Sequence, residues 1–309
     1  MELRRVKHFL AVVDQGSFTA AAQKLGVSQQ AVSKSINVLE DELGVRLFER
    51  DTRLVTLSRF GELLLSHARN IDAEAQQFKR HLEDAVGVRS GRLVIGAGLT
   101  ATTYILPLVL RRLVAKRPHL KISVRDGSAP TLIPMLLRGE LDVTLCVLGK
   151  PLDDSLVREE LLFQERLRVI VGAGHPLAGA KNVELAALLD YPWFVGWLPA
   201  LDHGVSSTFT EHGLKPPVPK LDTTSLPLAR ALLAAGEYIS VLPEHLFLTE
   251  LEEGTLAVVE IAPDIQGWSR PMSLCYRRNS VRSPATMALV NELTLLLRER
   301  PNITGLSMP

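Results

Sequence analysis

Residues Ser17 to Glu42 read SFTAAAQKLGVSQQAVSKSINVLEDE, and their spacing predicts two short helices joined by a tight turn. Ser17 can cap the first helix and Ser28 the second, because a serine oxygen accepts the orphan backbone N–H groups of a helix start. Gly26 stands where the first helix must end on a left-handed residue. Ala22, four residues before it, is small enough for two helices to cross, and Val32, six residues after it, is branched and apolar. Val32, Ile36, Leu39 and Leu43 recur every three or four residues, which predicts one buried face on the second helix. The other face carries Gln29, Gln30, Ser33, Lys34 and Asn37, side chains that can reach base edges and phosphates in a major groove.

Working outward, residues 2 to 14 predict an amphipathic helix with Leu3, Val6, Phe9, Leu10 and Val13 on its apolar face. After Gly44, VRLFERDTRLVTLS reads as two short strands around Asp51–Thr52, a wing with Arg50 and Arg53 at its tip, placed for phosphate or minor-groove contact. From Ser58 to about Arg89 the chain reads as one long helix. Leu64, Ala68, Ile71, Ala75, Phe78 and Leu82 alternate by four and three, a heptad seam that asks for a partner helix. The seam can also pack on its own chain; a second copy is the preferred partner, because the stretch links two domains.

At Ser90–Gly91 the pattern changes. RLVIG, LKISV and LDVTLCVL are apolar strands separated by helices at Thr103–Lys116 and LIPMLLRG, which predicts a parallel α/β sheet. RLRVIVGAGHPLA, from Arg166, echoes RLVIGAGLTA, from Arg92, so two similar lobes are expected in tandem. The last strand, PMSLCYRR, and helix Ala285–Arg300 lack a strand partner of their own and should return to the first lobe. The chain would then cross between lobes twice, with a ligand cleft at the carboxyl ends of the strands.

Composition bounds the rest. The 309 residues exceed one hydrophobic core, and the net charge of +1 gives no electrostatic argument for a nucleic-acid partner. Residues 1 to 58 hold eight Lys/Arg against seven Asp/Glu, so any DNA reading rests on the motif. Two cysteines, Cys146 and Cys275, with no zinc spacing argue for a reducing compartment, no disulfide framework and no metal. No signal-peptide pattern and no membrane-length apolar run occur, which leads to the expectation of a cytoplasmic protein.

SFTAAAQKLGVSQQAVSKSINVLEDELGVRLFER, followed by LVTLSRFGE, resembles the DNA-binding domain of LysR-type transcriptional regulators. GAGLTATTYILPLVLRRL, LLRGELDVTL, GAGHPLA and LLAAGEYISVLP resemble the effector domain of that family. The resemblance implies an α/β fold with an N-terminal winged helix-turn-helix (1–58), a linker and dimerisation helix (59–89) and a periplasmic-binding-protein-like effector domain (90–309). Lobe I would span about 91–162 and 268–309, and lobe II about 163–267. It also implies promoter DNA and a small effector as partners, assembly as a homodimer and homotetramer, contact with RNA polymerase, and no cofactor. Where the family has proline and arginine, this chain has Gln30 and Lys34, and its late glycine turn reads Gly236–Glu237–Tyr238.

The residues expected to read DNA are Ser28, Gln29, Gln30, Ser33 and Lys34, with Thr19, Arg50 and Arg53 on the backbone. For the effector, hydroxyls at helix starts are expected: Thr100, Thr102, Ser128, Thr224 and Ser225, where backbone N–H groups and the helix dipole favour an organic acid or other anion. Each of these also fits a plain helix cap. Trp197 fits a cleft wall or a core position, and Cys146 ends a strand aimed at the cleft. Nothing in the sequence places Cys146 beside Cys275, which argues against redox sensing. A rival reading is enzymatic: Gly96-Ala-Gly98-Leu-Thr-Ala101 fits GxGxxG/A, and Asp126 ends the next strand, as in a NAD-dependent oxidoreductase. No catalytic constellation accompanies it, and a plain solute-binding module lacks a reason for the N-terminal motif.

Overall fold

The computed structural model describes residues 2–49, 55–85, 91–149, 152, 156–195, 204–263, 265, 267–278 and 280–299. Three helices open the chain: α1 Leu3–Gln15, α2 Phe18–Leu25 and α3 Gln29–Leu43. Ser17 and Ser28 cap α2 and α3, accepting from Ala20 N at 3.4 Å and Ala31 N at 3.2 Å. Gly26 takes φ +67°, the left-handed turn expected between them. Val6, Phe9, Ala22, Val32, Ile36 and Leu39 form the core of this domain. Leu43, in the last turn of α3, and Leu3, in the first turn of α1, are instead about 40% exposed: the periodic pattern runs one step past the surface it covers.

The wing begins and ends as a paired hairpin. Phe48 bridges Leu57 antiparallel, Glu49 N donates to Thr56 O at 3.0 Å, and Ser58 N donates to Leu47 O at 2.9 Å. Phe48 packs against Phe9 and Phe18, each ring pair at 5.5 Å. The Glu40 carboxylate, buried in α3, accepts from Leu47 N at 2.7 Å and Arg46 Nη1 at 2.5 Å and so fixes where the chain leaves for the wing. Arg50 and Arg53, the expected wing tip, lie outside the described residues.

The long helix is α4, Arg59–Ala85. Its seam is divided. Leu64 and Ala68 pack into the N-terminal core of their own chain, while Ile71, Phe78 and Leu82 are 37, 68 and 51% exposed and Ala75 is half-buried. One stripe thus begins as domain core and leaves its second half open.

The remaining described residues form one seven-stranded sheet and a two-stranded one. Strands β1 Arg92–Ala97, β2 Lys121–Asp126 and β3 Val143–Val147 are parallel, with α5 Leu106–Lys116 and α6 Ala129–Leu137 between them. α5 is preceded by a π-helical turn, Ala101–Ile105, so the expected helix starts earlier than Thr103 and is locally widened. β4 Val157–Gly172 and β9 Trp268–Arg277 are antiparallel to one another over most of their length and carry the chain between the lobes. β9 also lies antiparallel to β3, so the expected purely parallel sheet is in fact mixed. Antiparallel crossing strands need no helical connection, so the strand–helix alternation did not reveal their direction.

Lobe II holds α7 Leu185–Leu188, β5 Phe194–Val195, α8 Val205–Glu211, β6 Leu221–Asp222, α9 Leu226–Ala234, β7 Ile239–Pro243, α10 Leu248–Glu252 and β8 Leu256–Val259. α8 and β6 were not foreseen, and α10 is preceded by a 3₁₀ turn, Glu244–Phe247. Gly236 holds φ +79° and lies close to Gly172 and Gly174, so the tight turn persists with Tyr238 packed on Phe194 beyond it. Helix α11, Pro284–Glu299, packs on α5, back in lobe I as expected. Among the described residues, no helix is long and apolar enough to cross a membrane.

Replacing Glu40 by alanine removes the buried acceptor of Leu47 N–H. We expect a loss of about 2 kcal/mol from the N-terminal domain, read as a lower urea midpoint for amide exchange in α1 to α3; an unchanged midpoint would show that the carboxylate does not hold the wing.

Candidate DNA-reading face and inter-lobe cavity

The reading face follows from the periodicity of α3. Gln30, Lys34 and Asn37 are exposed on the side of α3 away from Val32, Ile36 and Leu39; Gln29, exposed, and Ser33, half-buried, flank that side, and Thr19 is exposed on α2. Ser28 stays exposed, but its oxygen is engaged as the cap of α3, which leaves its hydroxyl proton to donate outward.

The second region is a cavity of about 380 Å³ between the lobes. Of the effector residues expected, Thr100, Thr102, Ser128, Cys146 and Thr224 all line it. Ser225 does not: its oxygen accepts from Leu228 N at 3.4 Å and caps α9. Ser128 stands in the same position before α6 yet makes no such cap bond, so its hydroxyl is available to the cavity. Thr102 Oγ1 donates back to Leu99 O at 2.9 Å and keeps its acceptor side free. Trp197 lies outside the described residues.

Sequence reasoning missed the charged part of the wall. Arg270, on β9, lines the cavity and ion-pairs with Glu165 on β4, whose side chain is 0% exposed. His245 Nε2 stands 3.1 Å from the other oxygen of Glu165, and Arg270 Nη2 reaches Thr100 Oγ1 at 3.5 Å. Tyr104 stacks on His245 at 5.3 Å. The cluster therefore joins lobe I (Thr100, Tyr104) to lobe II (His245) through both crossing strands. Burial pushes the Glu165 carboxyl up, but Arg270 and His245 outweigh it and hold it at about 2. Nothing local singled the pair out, because β4 carries Arg158, Glu159, Glu160, Arg166 and Arg168 besides Glu165. The opposite pole is Asp126 at the rim, and Thr131, Leu242, Leu246 and Met272 complete the lining that matters here.

Two sequence readings change on this geometry. Gly96, first residue of the GxGxxG/A match, faces α6: a Cβ there would stand 2.7 Å from Leu141 and 3.2 Å from Leu132. Close packing against Leu141, Thr144 and the α6 residue Leu132, not a phosphate turn, explains that glycine. Cys146 and Cys275, in turn, are neighbours. Thr144 pairs with Cys275 and Cys146 with Ser273, so both thiols share the α6 face of the sheet, buried in one cluster. Their hydrogen bond and burial push the Cys275 thiol well up.

Glu165 gives a pH-dependent expectation. Its folded value lies below the ordinary 4.5, so its stabilisation is complete above that value and is lost as the pH falls toward about 2. Glu165→Gln should cost about 3 kcal/mol at neutral pH, by leaving Arg270 buried without its counter-ion. It should also flatten the loss of stability between pH 4.5 and 2; thermal melting across that window measures both.

The comparisons with known proteins agree with this architecture. Residues 3–62 match the model of bacterial regulatory helix-turn-helix proteins of the lysR family, and residues 87–297 match the LysR substrate binding domain. The HTH-type transcriptional regulator BenM of Acinetobacter baylyi (strain ATCC 33305 / BD413 / ADP1) is 33% identical over 254 residues, 79% of this chain and 80% of that protein. The SDS degradation transcriptional activation protein of Pseudomonas sp. (strain ATCC 19151) is 28% identical over 290 residues, 93% of this chain and 94% of that one. Full-length CbnR in complex with its target DNA superposes with a TM-score of 0.59 at 25% identity, covering 96% of this chain and 99% of that one. With both halves of the family matched over nearly the whole described chain, this protein is a LysR-type transcriptional regulator, a DNA-binding protein with an effector-binding domain and not an enzyme.

Proposed function

We propose that the regulator is switched by a small organic acid held in the inter-lobe cavity. The observation that carries this reading is the wall itself: the unspent hydroxyl of Ser128, the acceptor side of Thr102, the Arg270 guanidinium, and the N-terminal ends of α6 and the π-helical turn facing one space of about 380 Å³. Helix starts favour anions. Arg270 is already neutralised by Glu165, so it supplies directed N–H donors more than net charge. Asp126 at the rim favours an acid that also carries a hydrogen-bond donor, and Leu242, Leu246 and Met272 favour an apolar body between the two.

Gln29, Gln30, Ser33 and Lys34 read base edges in this proposal, with Thr19, Ser28 and the wing residues Arg50 and Arg53 on the backbone. A single reading helix of this size needs a second copy on a second half-site. The open half of the seam, Ile71, Phe78 and Leu82, supplies the dimer contact, and the family resemblance extends this to a homotetramer in the cytoplasm that engages RNA polymerase at promoters.

Three measurements check the reading. A panel of small carboxylic acids should include at least one that raises the melting temperature of the purified chain by mass action; a flat panel counts against the acid. Thr102→Val should weaken that acid about ten-fold without changing DNA affinity. Gln29→Ala should lower affinity for selected DNA by about ten- to a hundred-fold and leave the dimer intact by light scattering; a wild-type footprint would remove Gln29 from the reading set.

A further inference from the structure

We propose that Arg277 is the residue through which the state of the inter-lobe cavity reaches the linker helix; the proposal rests on the cavity being the effector site. Two elements run from the cavity toward α4. α6 starts at the wall with Ser128, Ala129 and Thr131 and ends at Leu137, about 13 Å further on at 1.5 Å per residue. β9 passes the wall with Arg270 and Met272 and reaches Arg277 about 17 Å beyond Met272 at strand spacing.

The far ends of both meet on one guanidinium. Arg277 is 5% exposed. Its Nη1 donates to Leu136 O at 3.1 Å, one of the last carbonyls of α6. Its Nη2 donates to Gln77 Oε1 on α4 and stands 3.6 Å from Glu74 Oε1. Gln77, 7% exposed, donates in turn to Val281 O just before α11. Beside this knot the backbones touch: Gly139, directly after α6, has φ +73°, and a Cβ there would stand 3.0 Å from Ala73 Cβ and 3.1 Å from its Cα. Side chains therefore do not cushion the joint.

Hydrogen bonds of this kind hold only within a few tenths of an ångström. A shift of α6 along its axis, set by what occupies the space at Ser128 and Thr131, must either carry Arg277 and Gln77 with it or break the fork. The planar fork reads a carbonyl and an amide on two helices at once, which a lysine ammonium on a flexible stem does not reproduce. Arg277 touches neither the cavity nor the DNA-reading face; it is a positioning residue between them.

The test is a double-mutant cycle on the full chain, using DNA selected by the chain from a random pool. Thr131→Phe serves as a permanent occupant of the cavity. With the joint intact, it should change DNA affinity by at least about five-fold, within the usual range of allosteric coupling. In the Arg277→Met and Gln77→Ala backgrounds that ratio should fall below about two-fold. Gln77→Ala carries the test if Arg277→Met does not fold. The same ratio in all backgrounds, or no ratio with the joint intact, overturns the proposal. The acid panel is repeated on Gln77→Ala by thermal shift. Retained acid binding with lost coupling is the expected result. Acid binding lost together with coupling overturns it, because Gln77 would then only hold the fold. A parent chain that binds no acid in that panel, while the Thr131→Phe ratio behaves as expected, contradicts the acid reading and leaves the joint in place.

Discussion

A single carboxylate, that of Glu165, sits at the crossing of the two strands that join the lobes. It is fully buried, paired with Arg270 and in reach of His245. A buried charge is tolerated only with partners around it, so the three residues must arrive together or the crossing is costly. They come from β4, from β9 and from the turn after β7, and Thr100 and Tyr104 bring lobe I to the same point. The lobes are thus registered against one another by electrostatics, and the cavity that they enclose inherits its cationic wall, Arg270, from that registration. The same arrangement explains why Arg270 offers direction without surplus charge.

Much of this was legible along the chain, and the reasons are local. The α2–α3 turn is written in Ser17, Gly26 and Ser28, each acting on backbone groups within four residues. The strands β1 to β3 and their helices follow from periodicity. What was not legible depends on partners far away in sequence. Glu165 and Arg270 are 105 residues apart, and no local pattern ties them. Cys146 and Cys275 read as unrelated for the same reason, although β3 and β9 lay them side by side. Ser128 and Ser225 look alike in sequence, each before a helix with an early proline. The structure separates them: only Ser225 turns its oxygen onto its helix, accepting from Leu228 N.

The linker helix shows how one periodic stripe can serve two structures. Its apolar spacing is continuous, yet Leu64 and Ala68 complete the DNA-binding core while Ile71, Phe78 and Leu82 remain open. On the neighbouring face, Ala73 and Gln77 meet lobe I at Gly139 and Arg277. α4 is therefore a shared beam: one stripe completes the DNA-binding core and continues open, and the neighbouring face meets lobe I. In the proposed coupling, a displacement at lobe I would change the presentation of α3 through this beam without unfolding either domain.

Reciprocity offers the most direct check on the whole account. If an acid in the cavity alters DNA affinity by some factor, DNA must alter the affinity for that acid by the same factor. The acid that most raises the melting temperature should therefore be titrated calorimetrically into the full-length chain, free and saturated with selected DNA. The account predicts dissociation constants that differ by the factor found in DNA binding, at least about five-fold. Equal constants with and without DNA would contradict it, because the cavity and the reading helix would then be independent.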